Sequence, residues 1–164
     1  MLKGIKGIHH VAISVPDIRA AKDFYCGVLG FELAEEFSFT PSELGDEITG
    51  VKDAAADVLM LRAGNMHIEI FEYKNPGVAA QAMDRPVCDH GYTHFALEVD
   101  GDIQEVYETL EKAGVRWHAP VLDDLDGEGF AVTYGRDPFG NVIEIQKLTP
   151  ANPAHVSRLP VWKA

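Results

Sequence analysis

An internal repeat constrains this chain more than any other feature of its sequence. Residues 7–15 (GIHHVAISV) align with residues 91–99 (GYTHFALEV), and both stretches alternate apolar side chains with small or polar ones. Alternation with a period of two predicts a strand that is half buried. Apolar residues at helical spacing follow each strand, over residues 18–28 and 103–113. The sequence therefore indicates two copies of one structural unit.

Further landmarks agree between the two copies. Residues expected to cap the N-terminus or to end the C-terminus of each helix occur at matching places: Asp17, Gly30, Asp102 and Gly114. A strand is predicted after each helix, over residues 31–35 and 115–118. Residues 67–71 (HIEIF) and 142–146 (VIEIQ) form another related pair, and each follows a Gly-Asn pair that predicts a hairpin turn. Each copy is predicted to be a βαβββ module.

These landmarks predict an α+β chain with two βαβββ modules. The expected organisation is a first module over 5–73, a linker over 74–90, a second module over 91–147 and an extended, proline-containing tail over 148–164. The polar, glycine-containing stretch 38–57 is interpreted as a mobile loop.

Four polar residues recur at equivalent places in the repeat and predict a metal site. The two histidines and two glutamates lie on predicted strands and face one way: His10, Glu69, His94 and Glu144. If the modules pair about a pseudo-two-fold axis, the four side chains meet in one cleft. Two imidazoles and two carboxylates suit one divalent ion such as Ni, Co, Mn, Fe or Zn. An octahedral ion would keep two open positions, which could chelate vicinal oxygens of a substrate.

Strand register suggests residues around that site. If the turn at residues 137–141 carries a bulge, Tyr134 lies opposite Glu144, and a two-residue turn at Gly64-Asn65 places Arg62 opposite His67. Arg62 could bind an anionic group of a substrate, and Tyr134 and His67, which share the faces of Glu144 and Glu69, are the other candidate substrate-binding residues. His9 is assigned to the helix-packed face by alternation and is rejected as a ligand.

Composition limits the classes of partner. Lys and Arg total 14 against 26 Asp and Glu, a net charge of −12, which disfavours nucleic acid as a partner. The sequence contains no long apolar run and no signal-peptide pattern, so we expect a cytoplasmic protein without a membrane partner. Cys26 and Cys88 are expected to be reduced packing residues.

The chain resembles the vicinal oxygen chelate superfamily, which includes glyoxalase I, methylmalonyl-CoA epimerase, bleomycin- and fosfomycin-resistance proteins and extradiol dioxygenases. The motifs that carry the resemblance lie over residues 8–13 (IHHVAI), 24–31 (FYCGVLGF), 94–99 (HFALEV) and 137–144 (DPFGNVIE). It implies two modules that pair into a curled, mostly antiparallel eight-stranded sheet around a metal cleft. The family's ligand positions fall on the four residues of the repeat.

The resemblance also implies a chemistry. In the lyase and isomerase branch, the metal binds two substrate oxygens and stabilises an enediolate or enolate while a carboxylate moves the proton. By resemblance to glyoxalase I, Glu144 is the first candidate for the catalytic carboxylate and Glu69 is the second. The expected function is a glyoxalase-like lyase or an epimerase acting on a small carbonyl compound. An extradiol-type Fe(II) dioxygenase and a non-enzymatic drug-binding protein are the alternatives, and a homodimer is expected because curled sheets leave edges that need cover.

Overall fold

The computed structural model describes residues 7–77, 85–123, 127 and 129–159. The chain divides into two compact units, Met1–Gln81 and Ala82–Ala164. Each unit carries one four-stranded mixed sheet, so the predicted α+β class is confirmed. The prediction that both sheets join into one eight-stranded sheet around a metal stays a prediction.

The first unit has the sheet order β1-β4-β3-β2, in which β1 and β4 are parallel and the other pairs are antiparallel. Its elements are β1 (His10–Ser14), α1 (Ile18–Lys22) continued by a π-helical turn (Asp23–Val28), β2 (Glu32–Phe39), α2 (Glu43–Thr49), β3 (Ala55–Ala63) and β4 (Met66–Asn75).

The second unit has the equivalent order β5-β8-β7-β6, again with one parallel pair, β5 with β8. Its elements are β5 (Phe95–Glu98), α3 (Ile103–Lys112), β6 (Arg116–Trp117), β7 (Ala131–Arg136) and β8 (Val142–Lys147), followed by a short 3-10 turn (Val156–Arg158). Both units therefore have the predicted order of one strand, a helix and three strands, and in the first unit α2 is inserted between β2 and β3.

The helix signals act as the sequence predicts. The Asp17 carboxylate accepts hydrogen bonds from the backbone N–H groups of Arg19 and Ala20 at 2.9 and 3.0 Å. Asp102 caps α3 in the same way. Gly114, at φ 99°, follows α3 in the left-handed region that an L side chain rarely adopts.

One face of each sheet is apolar and the other carries the polar residues of the repeat. In the first unit Ile13, Ile68 and Ile70 are buried, and in the second Ile143 and Ile145 are fully buried. Because side chains alternate along a strand, residues next to these in sequence lie on the opposite face. This alternation determines which face carries the candidate site.

One local prediction is wrong. The stretch over 38–57 is not one loop: β2 continues to Phe39, α2 occupies Glu43–Thr49, and β3 begins at Ala55. The Ser42 hydroxyl accepts a hydrogen bond from the Gly45 N–H at 3.0 Å, and Gly50 ends α2 at φ 68°. The cap and the final glycine offset the weak helix propensity of a seven-residue segment.

The predicted module, linker and tail boundaries stay predictions. Part of the linker, residues 78–84, lies outside the described residues, as do residues 160–164 of the tail. Among the described residues, no helix is both long and apolar enough to cross a bilayer.

Candidate functional site

The first unit brings a histidine and a glutamate together on neighbouring strands. His10 begins β1, and Glu69 lies on the parallel strand β4, opposite Ala12. His10 and Ala12 are two residues apart, so they lie on the same face of the sheet as Glu69. The Nε2 atom of His10 is 3.3 Å from Oε2 of Glu69.

The second unit repeats this arrangement. His94 immediately precedes β5, and Glu144 lies on β8 opposite Ala96. The Nε2 atom of His94 is 3.0 Å from Oε2 of Glu144. Each unit therefore brings its histidine and glutamate into contact on the face that alternation along the strands predicted. The meeting of all four side chains in one cleft stays a prediction.

The other ring nitrogen of each histidine contacts the preceding residue. Nδ1 of His10 is 2.9 Å from Nδ1 of His9, and Nδ1 of His94 is 2.8 Å from the Thr93 hydroxyl. A contact at Nδ1 orients an imidazole and leaves Nε2 for a ligand or metal. In both units the nitrogen facing the carboxylate is the one suited to bind a metal.

The spacing of these donor atoms fits a divalent ion. Imidazole nitrogens and carboxylate oxygens bind such ions at about 2.0–2.2 Å, which places two ligands at right angles about 3.0 Å apart. The measured separations are 3.3 and 3.0 Å. Over residues 7–77, 85–123, 127 and 129–159, no group of three or more His, Cys, Asp or Glu side chains is assembled for a metal. Each unit thus supplies a pair of fitting donors.

Glu144 is the more enclosed of the two carboxylates. Glu144 is 6% exposed, and the Tyr134 phenol, directly opposite on β7, donates a hydrogen bond to it. The Tyr134 ring meets His94 edge-on, with ring centres 4.9 Å apart. Burial raises the pKa of Tyr134 above its ordinary value, and the hydrogen bond and charge of Glu144 raise it further. The predicted register of Tyr134 and Glu144 is confirmed.

The predicted register in the first unit is also confirmed, because Arg62 lies opposite His67. The Arg62 guanidinium pairs with Glu32 at 2.6 Å, and both side chains are more than half exposed. A pair this exposed is weak, so Arg62 can exchange it for another anion. The substrate-binding roles of Arg62, His67 and Tyr134 stay predictions.

The prediction that His9 lies on the helix-packed face is wrong. Its ring stacks on His67 with centres 4.9 Å apart and meets His10 edge-on at 5.2 Å. His9 precedes the first residue of β1, so the alternation of the strand does not determine where its side chain points. The His9-His10 dipeptide could have indicated this placement, because adjacent histidines at the end of a strand can both reach one site.

One predicted packing role is wrong, and two histidines outside the repeat, the exposed His118 and the more buried His155, have neighbours of note. Cys88 is exposed rather than packed, although both cysteines are free as expected. His118 lines a cavity with two arginines. Nε2 of His155 is 3.0 Å from Glu98, and both of these side chains are largely buried. No local pattern marks the His155 contact, because its partner is distant in sequence.

Comparison with known proteins finds similarity over most of the chain. The sequence profile of the Glyoxalase/Bleomycin resistance protein/Dioxygenase superfamily matches residues 7–145. The chain is 32% identical over 160 residues to a 2-epi-5-epi-valiolone epimerase of Actinomyces sp, covering 93% of this chain and 85% of that protein. It is 28% identical to the mitochondrial methylmalonyl-CoA epimerase of Dictyostelium discoideum, covering 69% of this chain and 60% of that protein.

A solved structure shows the same fold. A glyoxalase family protein from Bacillus cereus superposes with a TM-score of 0.78 at 22% identity, covering 90% of this chain and 97% of that one. The profile match extends over most of the chain and includes all four residues of the two histidine–glutamate pairs. This chain therefore belongs to the glyoxalase/bleomycin resistance protein/dioxygenase superfamily.

Proposed function

We propose that the protein is a divalent-metal-dependent epimerase or glyoxalase-like lyase that moves a proton at the carbon next to a carbonyl group. The observation that carries the proposal is the duplicated pair, in which Nε2 of a histidine faces a carboxylate oxygen at 3.3 Å in one unit and 3.0 Å in the other. Two relatives named as epimerases favour the same class of reaction.

The proposed centre needs both pairs. Two modules, from one chain or from two chains of a homodimer, would pair into a curled eight-stranded sheet, and four side chains would hold one Ni, Co, Mn, Fe or Zn ion: His10, Glu69, His94 and Glu144. When bound, the ion supplies a Lewis acid that lowers the energy needed to remove a proton next to a carbonyl.

Glu144 is the first candidate to carry the proton. It is enclosed, and its carboxylate accepts a hydrogen bond from Tyr134, which helps to position it. A positioned carboxylate of this kind takes a proton from carbon and returns it to the product. Glu69, with a side chain 14% exposed, is the second carboxylate. In an epimerase, one carboxylate removes the proton from one face of the carbon and the other delivers a proton to the opposite face.

The remaining residues would position the substrate. Arg62 and His67 lie opposite each other on β3 and β4, on the face of Glu69. Tyr134 lies on the equivalent face of the second unit, beside Glu144. We propose that these three side chains contact a small-molecule substrate, with Arg62 leaving its exposed partner Glu32 to meet an anionic group.

Metal analysis and solvent-deuterium exchange test the proposal together. The purified protein should contain a divalent ion, and it should exchange deuterium from solvent into 2-oxo acids, thioesters or hemithioacetals. Glu144→Gln should lose this exchange, whereas Glu47→Gln on the exposed surface of α2 should keep it. Oxygen uptake with catechols would instead identify a dioxygenase. Tight binding of small molecules without exchange would identify a binding protein.

A further inference from the structure

A cavity in the second unit is cationic although the protein is strongly acidic. It has a volume of about 480 Å³ and is lined by Arg116, His118 and Arg136 together with uncharged residues. Among the residues that the structure describes, no carboxylate belongs to its lining. In a chain with net charge −12, a lining whose described charged side chains are all basic attracts an anion rather than repelling it.

The two arginines face each other directly. Arg116 on β6 is the register partner of Arg136 on β7, so both side chains lie on one face of the sheet. Like charges directly opposite each other destabilise a sheet unless something neutralises them. Arg136 donates its hydrogen bonds to the backbone carbonyls of Gly140 and Arg85, neither of which neutralises its charge.

Arg116 is available to a ligand. In the part of the chain that the structure describes, its guanidinium has no hydrogen bond or ion pair, although acidic residues are abundant in this sequence. A guanidinium can bind a carboxylate or phosphate through two parallel N–H donors. Arg136 is 9% exposed, and its hydrogen bonds to two backbone carbonyls hold its guanidinium in place. It therefore offers a fixed positive charge beside the Arg116 guanidinium, which makes no such bonds in the part of the chain that the structure describes.

The cavity lies on the sheet face that carries the catalytic candidates. Arg136 and Tyr134 are two residues apart on β7, and Tyr134 is opposite Glu144. The His118 N–H donates to the Tyr134 carbonyl at 2.8 Å, which continues the pairing of β6 with β7. From strand spacing and rise per residue, the Cα atoms of Arg116 and Glu144 are about 12 Å apart.

We propose that this cavity binds an oxyanion, either carboxylate or phosphate, that forms part of the substrate. The inference rests on the proposed function and deepens it, because it assigns the substrate to the class of anionic carbonyl compounds. The anionic group binds between Arg116 and Arg136, with His118 as a third nitrogen donor. The rest of the molecule extends along the sheet face towards Glu144.

Binding of inorganic phosphate and acetate to the metal-free protein tests the site without turnover. Backbone amide NMR signals of residues 116–118 should shift saturably with either anion, and the tighter one identifies the oxyanion class. Arg116→Gln should weaken this binding at least tenfold. Arg19→Gln, which removes an equal charge from the exposed surface of α1, should leave it unchanged. The proposal is wrong if the wild-type signals do not shift saturably or if Arg116→Gln binds as tightly as wild type.

A second experiment distinguishes anion binding in the cavity from the proposed proton-transfer reaction. Glu144→Gln should lose deuterium exchange but keep phosphate binding, because Glu144 does not line the cavity. Once an exchanging substrate is known, Arg116→Gln should raise KM at least tenfold for the anionic compound and leave KM unchanged for its neutral ester. An equal effect on both compounds would overturn the role of Arg116 in anion recognition. Phosphate binding without any exchange would support the cavity and contradict the reaction.

Discussion

At the scale of single residues, the Asp137 side chain stabilises the turn that aligns two strands of the candidate site. It is fully buried, and its Oδ1 accepts hydrogen bonds from the N–H groups of Phe139 and Asn141 at 2.9 and 2.8 Å. Its Oδ2 accepts a third from the Asn141 side chain at 3.1 Å. This turn joins β7 to β8 and therefore sets the register that places Tyr134 opposite Glu144.

Asp137→Ala should lower the free energy of unfolding by about 2–3 kcal/mol, because it leaves buried N–H donors without acceptors. Chemical denaturation monitored by circular dichroism measures the change. Asp137→Asn keeps an acceptor oxygen and should lose less stability than the alanine variant. Equal stabilities for wild type and Asp137→Ala would show that the turn holds without these hydrogen bonds.

The sequence predicts the positions of those site residues that depend only on alternation along a strand or on the length of a turn. Alternation along a strand relates His94 to Ala96 and so to Glu144, and turn length alone places Arg62 opposite His67. Side chains outside this periodicity were misplaced, as His9 shows. The Arg116–Arg136 pair was not found, because β6 is only two residues long and its register is set by tertiary contacts.

At the scale of elements, the contact between β6 and β7 requires a glycine. A Cβ atom at residue 135 would lie 2.5 Å from Cε3 of Trp117 and 3.0 Å from the Arg116 carbonyl oxygen. Trp117 has little freedom to move, because its indole stacks on Tyr107 with ring centres 5.0 Å apart and donates to the Tyr107 carbonyl at 3.2 Å.

Gly135→Ala should therefore destabilise the protein by about 1–3 kcal/mol, the usual range for overpacking. Thermal unfolding monitored by near-ultraviolet circular dichroism reports both the stability and the environment of Trp117. Gly27→Ala is the matched control, because a Cβ at residue 27 meets no atom within 4 Å. Trp117→Leu should recover part of the loss in the double variant, and no recovery would show that the backbone contact is the cause.

The tail of the second unit is fastened to the same sheet. Glu98, at the end of β5, contacts Nε2 of His155 at 3.0 Å and accepts the Val156 N–H at 3.0 Å. The side chains of Glu98 and His155 are 15% and 18% exposed, so water competes little for this contact. Glu98 lies on the face of His94 and Ala96, which places this part of the tail beside the candidate site.

Glu98→Gln should release the tail locally. The hydrogen bond to a charged acceptor is worth about 1.5–3 kcal/mol, so amide exchange at Val156 should become about tenfold faster or more. Hydrogen–deuterium exchange with mass spectrometry measures the peptide that contains residues 149–159. Glu108→Gln on the exposed face of α3 is the control. Unchanged exchange in Glu98→Gln would mean that other contacts fasten the tail.

At the scale of the whole molecule, each unit would supply half of the proposed ligand set. Two protein donors would leave most coordination positions of an ion to water and would bind it weakly. If all four donors share one ion, removing either histidine weakens the whole centre. If each unit bound its own ion, removing one histidine would leave the other unit's ion in place.

His10→Gln and His94→Gln should therefore each abolish metal retention. The wild-type protein, with its four-ligand centre intact, should keep about one ion per chain. Equilibrium dialysis followed by elemental analysis measures the metal-to-protein ratio, and circular dichroism verifies that the variants are folded. His90→Gln, in the exposed segment before β5, is the control. Retention of half the metal in each variant would contradict a shared centre.

Mixing the two variants extends this experiment to the assembly. If the modules pair across a homodimer, a refolded mixture of His10→Gln and His94→Gln chains forms some dimers in which one centre has all four ligands. Metal retention and deuterium exchange would then return in the mixture, as they would not in either variant alone. If the modules pair within a chain, every centre lacks a histidine and mixing restores nothing. Either result assigns the subunit that contributes each half of the site.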